Sequence, residues 1–208
     1  PLRIPAGFSI SVFAKGLGGP RVMTRDPLGV LLVSIPSQGR VVALVDANRD
    51  GFAEKTAVVA QGLNRPHGLA FRCVEPVTGQ SLVETEDCEL YIAESHRVSA
   101  FAYDARAYRA TFKTKVADLP NGGNHFTRTL LFLPTPARDE LLVSVGSSCN
   151  ICHEQDERRA KILRINLTTG EVKPYASGLR NAVFMATEPV FGTVWATEMG
   201  HDFLGDDL

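Results

Sequence analysis

Apolar residues in this chain fall in short runs that turn-forming residues separate. The runs at 30–35, 40–45, 90–93 and 98–103 are rich in Val, Ile, Leu, Tyr and Phe, with Gly, Pro, Asn and Asp between them. No long stretch repeats its apolar positions with the helical period. Short runs of β-branched and aromatic residues bounded by turn residues are typical of strands. The pattern therefore predicts an all-β protein.

The predicted strands recur in a unit that opens with a turn of the form Gly-Leu-x-x-Pro or a variant of it. Openings occur at Gly16, Gly62, Leu119 and Gly178. The strands that follow them are expected at 30–35, 40–45, 69–71, 90–93, 98–103, 130–133, 141–145, 162–167 and 194–197. These strands define blade-like units of about 7–46, 55–104, 112–170 and 171–208, all within a single domain, 1–208.

A repeat of about 45 to 60 residues with roughly four strands in each unit is typical of a β-propeller blade. A β-sandwich is the alternative, but it does not account for the repeated openings. In a propeller the inner strands start around a central channel. We therefore expect His67, His125, Arg180 and Asn181, which lie in or just after the openings, to converge on one mouth.

Composition and charge narrow the range of partners. The chain has 208 residues, of which 44% are hydrophobic and 22% charged, and its formal net charge is −1. These values are ordinary for a globular protein, and a charge this close to zero gives no field that would attract nucleic acid or an anionic bilayer. No apolar segment is long enough to span a membrane, and no signal sequence opens the chain. We expect a neutral small molecule as the partner.

The four cysteines form two local pairs, which fits disulfides in an oxidising compartment. Cys73 and Cys88 bracket a polar insertion, 74–87, and are expected to staple it. Cys149 and Cys152, followed by His153, match the attachment signature of a c-type haem. The preferred interpretation is a disulfide that braces a loop, with a structural zinc site as the next alternative.

An oxygen-rich segment at 46–51 resembles the first half of a calcium-binding loop. Asp46, Asn48 and Asp50 supply acceptors at alternate positions, and Gly51 allows a sharp turn. The twelfth position of an EF-hand loop would be Ala57, which excludes that motif. Glu54 is a substitute ligand in the calcium interpretation, whereas the simpler interpretation is a solvated hairpin turn.

The segment 122–128 is the strongest candidate for chemistry. It places His125 and Arg128 among Gly122 and Gly123, just before the apolar run at 130–133. A neutral imidazole at the mouth of a strand could take up a proton near pH 7. The alternative is a polar turn residue that bonds only to its own loop.

Several segments resemble one known family. They are 4–8, 64–71, 90–94, 123–130, 145–152, 177–181, 197–201 and 205–207. In this order they resemble the soluble glucose and sorbosone dehydrogenases that use pyrroloquinoline quinone (PQQ), and most closely the sorbosone-dehydrogenase-like branch. The resemblance extends over nearly the whole chain.

The resemblance implies a six-bladed propeller with PQQ lying over the channel mouth and held through a calcium ion. In that pattern His125 is the general base and also contacts the cofactor. Arg180 stabilises the oxyanion of the reduced quinone, and Asn181 makes a further polar contact with the cofactor. The main-chain carbonyls of Gly200 and His201 would bind the calcium. Ser147 lies where glucose-oxidising members have an aspartate that orients the imidazole.

The implied activity is oxidation of an aldose, a sugar alcohol or an osone by hydride transfer to PQQ, with electrons passed on to a quinone or a cytochrome. Two alternatives are a calcium-dependent sugar-lactone hydrolase on a similar propeller and a non-catalytic propeller that binds protein or glycan. Because the sequence stops at Leu208, before the family's fifth and sixth blades, we expect a fragment or truncated product of a longer enzyme. The expected location is the periplasm or the exterior of the cell.

Overall fold

The structure, a computed structural model, describes residues 3–73, 88–134, 137 and 139–202. The predicted insertion at 74–87 and the motif at 205–207 lie outside these residues. Within the described chain, regular structure is entirely β apart from one 3-10 turn, Pro36–Gln38. No helix in these residues has the length and apolar character needed to cross a bilayer. The prediction of an all-β protein is confirmed.

The strands are β1 (Met23–Arg25), β2 (Leu31–Ile35), β3 (Arg40–Val45), β4 (Lys55–Gln61), β5 (Leu69–Cys73), β6 (Cys88–Ala93), β7 (Arg97–Asp104), β8 (Arg109–Asp118), β9 (Leu130–Phe132), β10 (Glu140–Val145), β11 (Lys161–Asn166), β12 (Val172–Ser177), β13 (Ala182–Thr187) and β14 (Val194–Glu198). Three antiparallel sheets of four strands contain β1 to β4, β5 to β8 and β9 to β12, and β13 pairs with β14. Each strand lies beside its neighbour in sequence, so each sheet is a meander, as in a propeller blade.

Side chains of the central strands alternate between the two faces of each sheet and so pack against the sheets on either side. On β6, Leu90 and Ile92 face the first sheet and pack in one cluster with Leu32 and Val41. Tyr91, between them, faces the other way and packs in a cluster with residues of the third sheet. Because successive side chains of a strand point to opposite faces, a sheet with two sheet neighbours is buried on both faces. The central strands are therefore apolar throughout, which is why they were visible as continuous runs.

A third cluster continues the series of blades. Leu142 and Ile162 of the third sheet pack against Ala182 of β13, so the hairpin occupies the place of the next blade. The blades follow one another face to face in chain order, in the arrangement of a propeller. A buried hydrogen bond of 2.9 Å, from the Tyr103 hydroxyl to the Asp26 carboxylate, also joins the first two sheets.

The sheets divide the chain at the Gly-Leu openings, and this division differs from the predicted unit boundaries. Lys55–Gln61 falls at the start of the predicted second unit, yet as β4 it pairs with β3 and completes the first sheet. The opening at Gly62 follows this outer strand. Outer strands β4, β8 and β12 expose many of their side chains and are correspondingly polar, so they lacked the apolar signal of the central strands.

Candidate functional site

One end of the sheets gathers the loops that carry the candidate residues, and we call this end the rim. Because the strands are antiparallel, alternate connections lie at the same end of each sheet. The rim consists of the segments 36–39, 62–68, 94–96, 119–129, 146–160, 178–181 and 199–202. Main-chain hydrogen bonds cross between them, including one of 2.7 Å from the Ser147 amide to the Arg180 carbonyl. All the predicted quinone and calcium residues lie on the rim.

The His125 imidazole is held in one tautomer by Ser147. Its Nδ1 lies 2.8 Å from the Ser147 carbonyl oxygen and 3.0 Å from the Ser147 hydroxyl. That hydroxyl donates its own proton to the Cys149 carbonyl at 2.6 Å, so it offers only a lone pair to the ring. Nδ1 therefore carries the proton, and Nε2 is the basic nitrogen of the neutral ring. His125 is half-buried and can act as a proton acceptor.

Gly146 lets His125 and Asn181 approach each other. A Cβ atom at this position would lie 2.6 Å from His125 Cβ and 2.7 Å from Asn181 Oδ1. Asn181 is buried, and its Oδ1 accepts a hydrogen bond of 3.1 Å from the Thr127 hydroxyl. The blade openings at 119–129 and 178–181 thus bring the imidazole and the amide together around one glycine.

Arg180 is buried and directed along the last segment of the rim. Its Nε–H donates to the Asn150 carbonyl at 3.1 Å, and Nη1 donates to the Met199 and Gly200 carbonyls at 3.3 and 2.7 Å. Nη2 pairs with the Asp202 carboxylate at 2.7 Å. These contacts use four of the five N–H donors of a guanidinium and leave one on Nη2. The side chain is fixed, and its remaining donor is the one that a ligand oxygen could use.

The predicted calcium carbonyls lie beside this guanidinium. The Gly200 carbonyl accepts from Arg180, and His201 is an exposed residue next to it. A calcium ion on the Gly200 oxygen would lie against the positive charge of Arg180, which is unfavourable. In this arrangement Gly200 does not fit a calcium ligand.

A disulfide between Cys149 and Cys152 closes a short loop inside the connection 146–160. With the sulfurs joined to each other, the thiols that haem attachment or zinc binding requires are absent. The loop anchors the last rim segment, since Asn150 Oδ1 accepts from the Asp202 amide at 2.9 Å. A second disulfide joins Cys73 to Cys88 at the opposite end of the second sheet.

Two buried arginines support the His125 loop: Arg128, which lies in the candidate segment 122–128, and Arg159, which sequence reasoning did not assign to the site. Arg128 is fully buried and donates to the carbonyls of His125, Thr127 and Pro120 at 2.9, 2.8 and 2.7 Å. Burial, followed by the charges of Arg159 and Arg65, lowers the pKa of Arg128 to about 10, so it remains a cation at neutral pH. Arg159 donates to the Asn121 and Gly122 carbonyls at 2.8 and 2.9 Å. In the sequence, the signal for Arg128 was its position just before the apolar run at 130–133.

His67 lies at the rim, but its ring is buried. The residue is 1% exposed, and its ring meets Phe126 edge-on with 6.3 Å between ring centroids. Burial lowers the pKa of His67 to about 4, which keeps the imidazole neutral at pH 7. His67 is thus part of the packing beneath the site, and its ring does not open onto the mouth.

The oxygen-rich loop lies at the end of the first sheet opposite the rim. Carboxylate oxygens of Asp46, Asp50 and Glu54 lie within 4.8 Å of one another. They also accept main-chain hydrogen bonds, including those from the Asp50, Gly51 and Ala47 amides to Asp46 and Glu54. These contacts are typical of a solvated turn stabilised by aspartate side chains.

Comparison with known proteins identifies the family and confirms the fold. The chain is 24% identical to the PQQ domain of pyranose dehydrogenase from Coprinopsis cinerea, with a TM-score of 0.75 over 96% of this chain and 48% of that one. It is 25% identical to a calcium structure of the family AA12 protein of Trichoderma reesei, with a TM-score of 0.70 over 94% of this chain and 49% of that one. The prediction of a propeller, present here in part, is confirmed.

A curated protein of Borreliella burgdorferi, named only as uncharacterized, is 24% identical over 100% of this chain and 52% of its own length. The chain therefore spans about half the length of the relatives that it matches. The family model described as TrAA12-like matches residues 2–207, almost the entire sequence. The chain belongs to the TrAA12-like family.

Proposed function

We propose that this chain carries part of a PQQ-dependent oxidoreductase that acts on an aldose, a sugar alcohol or an osone. Family membership and similarity to a pyranose dehydrogenase PQQ domain support this class of activity. The observation that carries the proposal is the fixed tautomer of His125, whose Nδ1 proton is held by Ser147. A closer relation to the sorbosone branch is proposed on the sequence motifs alone.

His125 would act as the general base. Oxidation of a sugar carbinol removes a proton from its hydroxyl group and a hydride from the carbon that bears this group. The proton needs an acceptor. Nε2 is the available acceptor, and the Ser147 carbonyl stabilises the imidazolium that forms on proton uptake. The Ser147 carbonyl dipole takes the place of the charge of an orienting carboxylate.

Asn181 and Arg180 would position the cofactor beside His125. When bound, PQQ supplies the two-electron oxidant that no protein side chain provides. The amide of Asn181 lies next to His125 across Gly146, and Arg180 retains one N–H donor for a ligand oxygen. Because contacts to the main chain and to Asp202 hold the guanidinium, little conformational freedom would be lost when that donor is used.

Calcium, the electron acceptor and the location of the protein are part of the same proposal. Calcium is proposed because a T. reesei relative has a calcium structure, although the Gly200 carbonyl, which accepts from Arg180, does not fit the ion. A quinone or a cytochrome is the proposed acceptor. The two disulfides support a periplasmic or secreted protein, since thiols in reducing compartments are kept unpaired.

The proposal is tested by reconstituting the full natural chain that contains this sequence with PQQ and calcium. We expect saturable PQQ binding and dye reduction that requires both PQQ and an aldose. Lactone hydrolysis without PQQ would favour a hydrolase. Binding of glycan without dye reduction would favour a non-catalytic propeller, and either result would overturn the proposal.

A further inference from the structure

The disulfide between Cys149 and Cys152 lies at the surface of the rim and encloses only two residues. Cys152 is exposed, and Ile151, at the tip of the loop, is 68% exposed. Both cysteines belong to the connection between β10 and β11 and to no strand. An exposed disulfide can be attacked by an external thiolate. The loop is therefore open to thiol chemistry.

The disulfide between Cys73 and Cys88 has a different setting. These residues are direct partners in the ladder between β5 and β6, and Cys88 is buried. If their bond were opened, the main-chain hydrogen bonds of the ladder would keep the two thiols side by side, and the bond would close again. Residues 149–152 form no strand, so no ladder holds their thiols together after opening. The two bonds are thus expected to respond differently to one reductant.

A cleft of about 510 Å³ opens beside Cys152. Its walls include Pro120, Ser148, Cys152, Glu154 and Arg158. A volume of this size is in the range of small-molecule pockets. The cleft can therefore admit a small thiol, and Cys152 is the cysteine on its wall.

Glu154 presents an acceptor that the oxidised loop does not use in full. Its Oε1 accepts from the Ser148 amide at 2.7 Å, and its Oε2 is buried with no hydrogen-bond partner among the residues that the structure describes. Oε1 also lies 3.6 Å from Cys152 Sγ, which carries no proton while it is in the disulfide. A buried carboxylate oxygen without a partner is unfavourable. In the reduced loop, the Cys152 thiol has a proton to donate to this carboxylate.

We propose that Cys149 and Cys152 form a reversible exchange site for a small thiol, and that Glu154 stabilises its reduced form by accepting from the Cys152 thiol. The thiolate of the small thiol attacks Cys152 Sγ, the bond between the two cysteines breaks, and Cys149 leaves as a thiolate that takes up a proton. A second thiolate attacks the mixed disulfide at the sulfur of the small thiol and releases Cys152, which is protonated in turn. The small thiols end as a disulfide, and their two electrons and two protons reside on the cysteines.

Exchange at this loop would reach the proposed active site through Asn150. Its carbonyl accepts from Arg180 Nε at 3.1 Å, and its Oδ1 accepts from the Asp202 amide at 2.9 Å. Opening the loop would loosen both contacts. The inference does not rest on the proposed function, because thiol exchange needs neither PQQ nor a sugar. Both tests below omit PQQ and sugar, so their outcome is independent of oxidoreductase activity.

The first test treats the full natural chain with dithiothreitol under native conditions. Iodoacetamide then alkylates the free thiols, and mass spectrometry of the cysteine peptides follows each pair over time. Because the Cys73–Cys88 bond lies in the same chain, it is the internal control. We expect Cys149 and Cys152 to be alkylated at least about tenfold faster than this control pair. Reduction of the 149–152 loop at the rate of the control pair, or more slowly, overturns the proposal.

The second test measures the equilibrium of the loop with reduced and oxidised glutathione at pH 7. Glu154→Gln keeps an acceptor for the Ser148 amide but loses the charge. We expect its equilibrium constant for reduction to be about fivefold lower than that of wild type, because a thiol bonds more strongly to a carboxylate than to an amide. The matched control, Glu157→Gln, removes an exposed carboxylate from the same connection and should match wild type. Circular dichroism checks that both variants fold, and the first test needs neither of them.

A pH profile distinguishes the assigned role of Glu154 from a structural effect on the loop. The hydrogen bond requires a protonated Cys152, so the difference between Glu154→Gln and wild type should shrink as pH rises past about 8.5, the ordinary pKa of a thiol. An equilibrium constant equal to that of Glu157→Gln at pH 7 overturns this role. A fivefold difference that does not change with pH overturns it as well.

Discussion

Two histidines in corresponding blade openings have different chemistry because their surroundings differ. His67 is enclosed by Phe126 and main chain, and burial lowers its pKa to about 4. His125 is half-buried, and a carbonyl and a hydroxyl fix its Nδ1 proton. A protonated ring is costly in the first environment, whereas in the second the Ser147 carbonyl accepts the Nδ1 proton and leaves Nε2 as the unprotonated nitrogen. The same residue type thus serves packing at one opening and, in the proposed function, proton transfer at the next.

His67 should make stability depend on pH in acid. Its pKa is lower in the folded chain than its ordinary value of 6.5, so the unfolded chain binds the proton first as pH falls. Stability is complete above pH 6.5 and is lost as pH falls towards 4. Replacing His67 with Gln should reduce the loss of unfolding free energy between pH 7.5 and 4.5 by about 2 to 3 kcal/mol.

Urea unfolding at the two pH values measures this difference. The exposed His153, changed to Gln, is the control and should retain the wild-type loss. An acid loss in His67→Gln as large as that of wild type would show that the ring does not stay neutral when buried.

At the scale of elements, the connection 146–160 between β10 and β11 organises the site. Ser147 at its start holds His125, and Asn150 within its disulfide loop accepts from Arg180 and from the Asp202 amide. Gly146 provides the space that the imidazole and Asn181 need. One loop therefore sets the positions of His125 and Arg180.

The two disulfides should have separable effects. Removing the link between Cys149 and Cys152 by double replacement with Ala should cost about 2 kcal/mol of unfolding free energy, since the closed loop is short. It should also lower turnover about tenfold, because Ser147 and Asn150 lose their support. The same replacement of Cys73 and Cys88, at the opposite end, should cost about 3 kcal/mol and leave turnover per folded molecule unchanged.

Chemical denaturation and assays corrected for the folded fraction measure these two effects. Equal turnover in the two double variants would show that the loop at 149–152 has no part in positioning the site.

Sequence patterns predicted the elements that burial makes apolar. Arg40–Val45 was predicted with its observed bounds, because β3 is buried on both faces. Arg109–Asp118 was missed, because as the outer strand β8 it exposes most of its side chains. Likewise, glycines around His125 were visible in the sequence. The contacts of Arg128 and Asn150 were not, because they depend on carbonyls that only the folded loops bring near.

At the scale of the molecule, the described sheets differ in whether both of their faces are packed against a neighbouring sheet. Each complete internal sheet packs on two neighbours, but the hairpin of β13 and β14 packs on one. Phe184 and Trp195 on this hairpin are 50% and 68% exposed. Large exposed apolar side chains that cluster on one surface mark an interface. In a propeller this surface is where a following blade packs.

Trp195 provides a direct probe of that surface, because it is the only tryptophan in the 208 residues. In the 208-residue chain alone, its fluorescence should resemble that of indole in water and be readily quenched by acrylamide. In a natural chain with a further blade packed there, emission should shift to the blue and quenching should fall several-fold. A shielded Trp195 in the 208-residue chain would contradict the exposed hairpin.

The central claim is that His125 takes the proton when sugar is oxidised at this rim. Rapid mixing of the PQQ-loaded full natural chain with an aldose, followed through the absorbance of the oxidised quinone, tests it in a single turnover. We predict that His125→Gln binds PQQ with a Kd close to that of wild type but reduces it at least about 100-fold more slowly. Reduction at the wild-type rate in that variant would contradict the claim.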